Sequence, residues 1–510
     1  MKRILISCLA CLSVLLAAQA QNLLWTISTD TNMVYLGSDV MTDGQDNVIL
    51  GAVGNNTAYI LKYNKDGTPL LAAGSSDEAS YEAMTTDKDD RLILAGRQKN
   101  GSQWDAMIMV FDTEGNPQFT QWHNYSNKDD VFNDVLTDPG LNIFACGSAY
   151  NANTEQCGLL ARYAPDGTPV WVEHFGETNH HISFLSVKMD VAGNLHVVGR
   201  KSGTSPSPIS LISRVYSPAG MLLSEYDALV GGYMEAHPLF NLLDEGGSHY
   251  IGGYVLDGSM HTAFLMKLID NNLAWLQLGP DGSSFYNGCL TPQGYVACCG
   301  EAQSLSGDAY YALFTSGGGL EQENQYDSPY GLEDVLLGIT AEGEYLYFCG
   351  ASEGLGTLTD MLVLKTDMTL TTMWELRYNS FNNGYEVAWD IDLDTEGNVL
   401  LAGQSMSTTG NFLEAWKYTN PLRIEEKEAD RMISLQVYPN PSADRIFFRL
   451  ENASGQLYYE IISKDGRHVS AGNLPQAEYQ SLSITTLPAG SYLLRIYNGN
   501  ITYGARFVKQ

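Results

Sequence analysis

Basic residues are scarce in this chain, and their scarcity restricts the partners that it can have. The 510 residues include 28 Lys and Arg against 59 Asp and Glu, which gives a formal net charge of -31 at pH 7. A field of this sign repels phosphate backbones, so the composition argues against nucleic acid as a partner. Because 44% of the residues are hydrophobic, the chain can still bury a large core, and its length favours more than one domain.

Long apolar runs are missing beyond the N-terminus. Lys2 and Arg3 precede an apolar run over residues 4–18, and Ala18-Gln19-Ala20 supplies the small residues of a cleavage site. This order is typical of a secretory signal peptide, which we assign to residues 1–20. The run is short for a membrane span and no later stretch could cross a bilayer as a helix, so we expect a secreted or cell-surface protein without a transmembrane segment.

Cysteine is also sparse after the signal peptide, and no CxxC spacing is present. This argues against a disulfide-dense module. Cys146, Cys299 and Cys349 each precede a glycine, in the place that alanine takes elsewhere, which predicts small buried packing residues. A disulfide between Cys146 and Cys157 is the alternative.

Several catalytic and metal-binding motifs are absent. The chain has no G-x-S-x-G, no H-E-x-x-H and no glycine-rich phosphate loop. The acidic stretch with Asp390, Asp392, Asp394 and Glu396 is the best candidate for calcium, but it lacks the bidentate Glu at the end of an EF-hand loop. Asp-initiated turns explain the same residues, so we expect no cofactor and keep calcium as the alternative.

What the chain does contain is a repeat of about 45 to 54 residues, a period typical of propellers and solenoids. Residues 134–171 show it most clearly, as four short apolar runs separated by turns. Each copy has a glycine at the end of its second run, and these are Gly51, Gly96, Gly147, Gly199, Gly252 or Gly253, Gly300, Gly350 and Gly403. The pattern predicts an all-β fold, an eight-bladed β-propeller over residues 21–420, with seven blades as the alternative.

The two ends of the repeat region complement each other. The last copy stops at Tyr418, before its fourth strand, whereas the mature chain opens with LLWTIST at residues 23–29, which is similar to the fourth strand VWVEHFG at Val170. We therefore expect the N-terminal strand to complete the last blade, because closure removes exposed sheet edges. The copy with DAMIMVFDTEGNPQFTQW resembles the SBBP-type β-propeller repeats of secreted bacterial proteins, a resemblance that implies the fold and no chemistry.

The C-terminal residues follow a different pattern. The charged segment 421–433 breaks the repeat as a linker, and SLQVYPNPSADRIFFRL, LPAGSYLLRI and the ending RFVKQ follow it. Residues 434–510 are similar to the C-terminal sorting domain of the type IX secretion system of Bacteroidetes. The residues that match its motifs are Tyr438, Pro439, Asn440, Pro441, Gly490, Tyr492, Arg495 and Lys509. The resemblance implies a small Ig-like β-sandwich, handling by the type IX machinery, and attachment to surface lipopolysaccharide or release.

Candidate ligand contacts lie in the loops that lead into first strands or join second to third strands, where propellers usually bind. They are Trp104, Asp129, Asp130, Tyr150, His180, His181, Tyr286, Tyr330, Glu333, Asp334, Asn383, Tyr385 and Glu386. Aromatic rings with carboxylates and amides suit a glycan, a peptide or a protein, so we expect a non-enzymatic binding module. The alternative is a carbohydrate-active enzyme, a glycoside hydrolase or lyase that uses carboxylates at the propeller mouth.

Overall fold

The computed structural model describes residues 23–30, 38–54, 56–75, 77–203, 208–302, 307–328, 331–354, 358–379, 384–407, 410–420, 433–435, 437–450, 457–463, 468–475, 477, 479–497 and 502–510. The predicted signal peptide, and the predicted linker apart from residue 433, lie outside these residues. The chain divides into two compact units, Met1–Pro421 and Leu422–Gln510. Both consist of β-strands, and within the described ranges the only helical element is the 3-10 turn Val230–Gly232. No helix in these ranges is long and apolar enough to cross a membrane.

The strands of the first unit fall into eight consecutive groups of four, which we call repeats 1 to 8. Repeat 1 contains β2 (Ser38–Thr42), β3 (Val48–Gly54), β4 (Thr57–Tyr63) and β5 (Pro69–Gly74), and repeat 2 contains β6 (Ala79–Thr86), β7 (Leu92–Asn100), β8 (Gln103–Phe111) and β9 (Pro117–His123). Repeat 3 contains β10 (Asp130–Thr137), β11 (Ile143–Tyr150), β12 (Gln156–Tyr163) and β13 (Pro169–Phe175). Repeat 4 contains β14 (His180–Met189), β15 (Leu195–Gly203), β16 (Ile209–Tyr216) and β17 (Leu222–Ala228).

Repeats 5 to 8 continue the series, and repeat 8 takes its fourth strand from the N-terminus. Repeat 5 contains β18 (Glu235–Leu243), β19 (His249–Asp257), β20 (Met260–Ile269) and β21 (Asn272–Asp281), and repeat 6 contains β22 (Ser283–Leu290), β23 (Val296–Ala302), β24 (Asp308–Phe314) and β25 (Leu320–Tyr326). Repeat 7 contains β26 (Asp334–Glu342), β27 (Tyr345–Glu353), β28 (Thr359–Asp367) and β29 (Thr372–Tyr378). Repeat 8 contains β30 (Tyr385–Leu393), β31 (Val399–Ser407), β32 (Gly410–Tyr418) and β1 (Leu23–Asp30). In repeats 1 to 7 neighbouring strands are antiparallel and follow one another along the chain, whereas in repeat 8 the N-terminal β1 pairs antiparallel with β32. Single parallel pairings link repeat 4 to 5 and repeat 7 to 8.

The glycine that marks each copy has a steric cause. In repeat 3 the first strand bulges between Phe132 and Asp134, opposite Gly147. A Cβ on Gly147 would lie 2.0 Å from the carbonyl oxygen of Val131, which no side chain allows. The glycine therefore permits the bulge in the first strand of repeats 2 to 8, whereas Gly51 of repeat 1 leaves room for the Tyr81 ring.

At several junctions an aromatic residue on the fourth strand joins neighbouring repeats. The indole of Trp171 in repeat 3 covers Gly220 in repeat 4, where φ is +81°, and its Nε1 donates to the carbonyl of Pro218 at 3.2 Å. Trp275 in repeat 5 covers Gly318 in repeat 6 in the same way, and its Nε1 donates to Ser316 at 3.2 Å. The turn glycine leaves room for the ring, so each turn is held by the preceding repeat.

Repeat 8 contacts repeat 1 through a tryptophan that covers a turn glycine in the same way, and we call this contact the closing interface. Strand β1 pairs antiparallel with β32, as LLWTIST predicts. Its Trp25 covers Gly67 and donates from Nε1 to the carbonyl of Lys65 at 3.0 Å, and Lys417 Nζ reaches the same oxygen at 3.0 Å. A shared apolar cluster joins Leu50 of repeat 1 to Ala402 of repeat 8. Consecutive four-stranded sheets whose last member contacts the first have the architecture of a β-propeller.

The cysteines pack in the sheet interiors. Cys146, Cys299 and Cys349 are fully buried, as their alignment with alanine predicts. All six described cysteines are free thiols. The alternative disulfide is wrong for a geometric reason: across β11 and β12, Cys146 pairs with Leu160 whereas Cys157 pairs with Ala149.

The second unit consists of two sheets that enclose one apolar core. The first contains β33 (Ile433–Ser434), β40 (Thr502–Lys509), β39 (Gly490–Tyr497), β36 (Leu457–Ser463) and β37 (His468–Leu474), in that order. The second contains β34 (Val437–Tyr438), β35 (Arg445–Arg449) and β38 (Tyr479–Ser483). Ile446 and Leu494, both fully buried, join the two sheets through this core.

Candidate functional site

One face of the first unit collects nearly all of the predicted ligand contacts. In every repeat the first strand begins, the second ends and the third begins at the same edge, and these edges and their loops form what we call the binding face. The predicted residues that lie there are Trp104, Asp129, Asp130, Tyr150, His180, His181, Tyr286, Glu333, Asp334, Tyr385 and Glu386. Tyr330 and Asn383 lie outside the described residues.

Two of the predicted carboxylates hold loops in place. Asp130 accepts hydrogen bonds from the backbone N–H of Tyr125 at 2.5 Å and of Tyr150 at 3.2 Å. Asp334 accepts from the backbone N–H of Ser328 at 2.7 Å and from the hydroxyl of Ser352. Burial raises the pKa of Asp130 to about 7 and raises the pKa of Asp334 as well. Only 1% of Asp130 and 2% of Asp334 is exposed, so neither carboxyl faces a ligand space.

The other predicted residues divide between loop contacts and the surface. His181 accepts from the backbone N–H of Gln156 through Nδ1 at 3.0 Å, and His180 lies 3.1 Å from the carbonyl of Thr178. Tyr286 donates to Glu301 at 2.5 Å. Glu333 is exposed, Tyr385 is half-buried, and Glu386 is fully buried in repeat 8.

Trp104 and Asp129 are brought together between repeats 2 and 3. The backbone N–H of Trp104 donates to the Asp129 carboxylate at 3.0 Å. The Arg97 guanidinium and the Lys99 ammonium lie 4.9 and 4.8 Å from the centre of the indole ring, within cation-π range. This cluster combines an aromatic ring with charges of both signs.

A cavity of about 270 Å³ opens beside this cluster, and sequence reasoning missed it. It is lined by Gln98, Lys99, Asn100, Asp105 and Trp122. Trp122 pairs with Met107 near the end of β9, whereas Trp171 pairs with Arg162 near the start of β13. Register within the fourth strand could have shown that Trp122 lies at the binding face and that Trp171 does not.

Further aromatic stacks on the same face were also missed. Tyr254 lies between His237 and His261, with ring centres 4.8 and 4.5 Å away. In repeats 2 and 3, His123 and His174 approach to 2.8 Å between their Nε2 atoms. Burial lowers the pKa of both, and that of His174 to about 4, so the pair is neutral and shares a hydrogen bond at physiological pH.

The candidate calcium turn has internal partners. Asp394 contacts Lys417 at 2.8 Å and accepts from the backbone N–H groups of Glu396 and Asn398. Burial acts to raise the pKa of Asp394, but the bonds from Lys417 and Asn398 outweigh it and lower the pKa. Among the residues that the structure describes, no group of three or more His, Cys, Asp or Glu side chains is arranged to hold a metal ion.

Two carboxyls lie close together on the innermost strands of the closing interface. Asp390 of repeat 8 accepts from the backbone N–H of Val40 at 3.0 Å, and Asp39 accepts a hydrogen bond from the hydroxyl of Tyr81. Both residues are half-buried, and this partial loss of hydration raises the pKa of each. The charge of Asp39 raises the pKa of Asp390 further, and the charge of Asp134 acts in the same direction on Asp39.

In the second unit the predicted sorting residues tie the start of the domain to its end. Asn440 donates to the carbonyl of Arg506 at 3.0 Å and accepts from the N–H of Val508 at 2.9 Å. Lys509 pairs with Gly490, and Arg495 lies 3.9 Å from Glu460. Among the remaining sorting residues, Tyr438 stacks on Phe447 and Tyr492 is buried. Pro439 and Pro441 each follow a cis peptide bond.

The comparison with sequence families identifies this second unit. Residues 436–510 match the family described as secretion system C-terminal sorting domain. The chain therefore ends in a type IX sorting domain. Such a domain is a signal for export to the outside of the cell, and the sorting residues predicted from the sequence lie within the matched range. No curated protein matches the chain.

Solved structures resemble the chain only distantly. A streptogramin B lyase is 9% identical with a TM-score of 0.40, over 78% of this chain and 98% of that one. The polysaccharide lyase Uly1 is 9% identical with a TM-score of 0.39, over 75% and 89%. The β-propeller domain of the Trilobed protease from Pyrococcus furiosus is 9% identical with a TM-score of 0.40, over 66% and 93%. Likenesses this low say nothing about activity.

Proposed function

We propose that the protein is exported by the type IX secretion system and acts outside the cell as a binding module for a glycan, peptide or protein. The first unit is a closed eight-bladed propeller, with repeats of the SBBP type, and the ligand contacts its binding face. The second unit is an Ig-like sandwich that the secretion machinery of a Bacteroidetes cell recognises, before the propeller is attached to lipopolysaccharide or released. The competing candidate is a carbohydrate-active enzyme that uses carboxylates at the propeller mouth.

The observation that favours binding is the unequal use of carboxylates and aromatic rings on the binding face. Glycoside hydrolysis needs two carboxyl groups that face each other across the substrate. Of the five predicted carboxylates, Asp130, Asp334 and Glu386 are buried, and the two exposed ones, Asp129 and Glu333, precede the first strands of repeats 3 and 7. In contrast, Trp122 has more than half of its surface exposed, beside a cavity. Exposed aromatic rings with polar neighbours are typical of recognition sites.

Export is tested by deletion. A chain that ends at residue 433 should keep its signal peptide and reach the periplasm, but should not cross the outer membrane. Fractionation of cells that express the full and shortened chains measures this. Unchanged export of the shortened chain would contradict the sorting role.

Binding is tested with the mature chain, residues 21–510, on an array of bacterial and host glycans, with thermal shift as the second readout. A ligand present at a hundredfold excess over its Kd stabilises the folded state by about 2.7 kcal/mol. We expect binding without turnover. Release of new reducing ends from a bound glycan would favour the enzyme instead.

A further inference from the structure

The cavity beside Trp122 is built from side chains that hold one another in place. The indole Nε1 of Trp122 donates to Gln98 Oε1 at 2.6 Å, and Gln98 Nε2 donates to Asp77 at 3.1 Å. Asp105 accepts from Asn100 at 2.7 Å and from Asn124 at 2.5 Å. The orientation of the ring and of the amide planes is therefore set before any ligand arrives, which lowers the entropic cost of binding.

The exposed surfaces of these groups match the two sides of a sugar ring. Trp122 is 56% exposed, and its indole presents an apolar face on which the C–H bonds of a pyranose can stack. Asn100 is exposed and offers its amide oxygen to the same cavity as an acceptor for a hydroxyl, whereas Asp105 is 4% exposed and has both carboxylate oxygens bonded to Asn100 and Asn124. A few polar groups placed around an aromatic wall are the usual composition of a small-molecule site.

The size of the cavity selects a single ring. Its volume of about 270 Å³ lies just below the roughly 300–1,000 Å³ of cavities that take drug-sized ligands. A hexopyranose, with about twelve non-hydrogen atoms, is smaller than such ligands. The cavity therefore suits one sugar residue, such as the exposed end of a glycan chain.

Charge selects against acidic sugars. The cavity contains one carboxylate, Asp105, and one ammonium, Lys99, which lies 3.7 Å from Glu78. The chain as a whole carries a net charge of -31. Uronic and sialic acids would meet a repulsive field without an unshared cation, so a neutral sugar is favoured.

From these observations we propose that the cavity around Trp122 binds one neutral hexopyranose residue. This inference rests on the proposed binding function and names the ligand class and the site. Trp122 stacks on the sugar ring and Asn100 accepts from a hydroxyl through its amide oxygen. Asp105 holds Asn100 in position, and Gln98 holds the indole.

The test compares the mature wild-type chain with three variants by NMR titration against glucose, galactose, mannose and N-acetylglucosamine. Trp122→Ala removes the stacking face, and Trp122→Phe keeps an aromatic face but loses the bond to Gln98. Leu278→Ala is the matched control, because Leu278 occupies the same register position in repeat 5, is 43% exposed and lines another cavity of about 270 Å³.

We expect at least one of the four sugars to bind the wild type, with a Kd that rises at least tenfold in Trp122→Ala, severalfold in Trp122→Phe and not at all in Leu278→Ala. Equal binding by wild type and Trp122→Ala would overturn the site while leaving glycan binding intact. No binding of any of the four sugars to the wild type would overturn the proposal as well. In that case a positive glycan array would still support the broader binding function, and a negative one would reject its glycan form.

Discussion

The interface between repeats 3 and 4 and the closing interface are built alike, but they differ at one inner position. In the first, Asp134 accepts from the hydroxyl of Ser186 at 2.7 Å and from the backbone N–H of Val187 at 2.9 Å. In the closing interface Asp390 accepts from the N–H of Val40, which corresponds to Val187. Asp39 corresponds to Ser186, because each lies four positions before the turn aspartate of its own repeat. A neutral donor is thus replaced by a second acid.

We expect this difference to make the stability of the closing interface depend on pH. Burial raises the pKa of Asp39 and Asp390 above the ordinary value of about 3.9 that both have in the unfolded chain. Because the folded state then holds protons more tightly, the free energy of unfolding is highest below the unfolded pKa and falls as pH rises through the raised values. The turn aspartates Asp43 and Asp394 act in the opposite direction, since their pKa values are lowered.

The largest expected effect tests the similarity of the two interfaces. Trp25→Ala and Trp171→Ala each remove an indole that covers a turn glycine of the next repeat. We expect each to lower the free energy of unfolding by about 2 to 3 kcal/mol, slightly below the usual cost for a fully buried tryptophan. Urea unfolding of the mature chain measures this change in the free energy of unfolding. A loss at Trp171 with none at Trp25 would show that the N-terminal strand does not close the ring.

A somewhat smaller effect is expected from a substitution that gives the interface between repeats 3 and 4 the acid pair of the closing interface. Ser186→Asp places a second carboxyl beside Asp134. We expect about 2 kcal/mol of destabilisation at pH 7, because two adjacent, half-buried acids cannot both ionise without cost. The loss should shrink when the same measurement is made at pH 4, and Ser186→Ala, which adds no charge, should show no such recovery. A loss independent of pH would point to steric disruption instead.

The smallest effect concerns the hydrogen bond that the Tyr81 hydroxyl donates to Asp39. Tyr81→Phe should cost about 1 kcal/mol, which is the typical net value of one hydrogen bond. In an Asp39→Ser background the cost should change, since contacting residues couple in a double-mutant cycle. Chemical denaturation of the four proteins gives the coupling energy. Strict additivity of the two changes would indicate that the contact contributes nothing to stability.

Much of the architecture could be predicted from the sequence, because turn and strand patterns are local. Asp-initiated turns, the repeat glycines and the LLWTIST strand indicated the four-stranded repeats and the partner of β1. The acid pair was out of reach, because Asp39 and Asp390 meet only through ring closure and the register of bulged strands. The position of Trp122 was within reach: it lies five residues after the proline that begins its fourth strand and Trp171 only two, so this spacing places them at opposite ends of the strand.

The pH dependence of unfolding in wild type and Asp39→Ser tests the account of the closing interface most directly. Asp39→Ser reproduces the Asp134–Ser186 arrangement, and the turn aspartates common to both proteins cancel in the difference. We predict that the variant gains stability over the wild type as pH rises from 4 to 8, by about 1.4 kcal/mol for each pKa unit that the substitution removes. Parallel curves across this range would contradict a titrating acid pair at the closing interface.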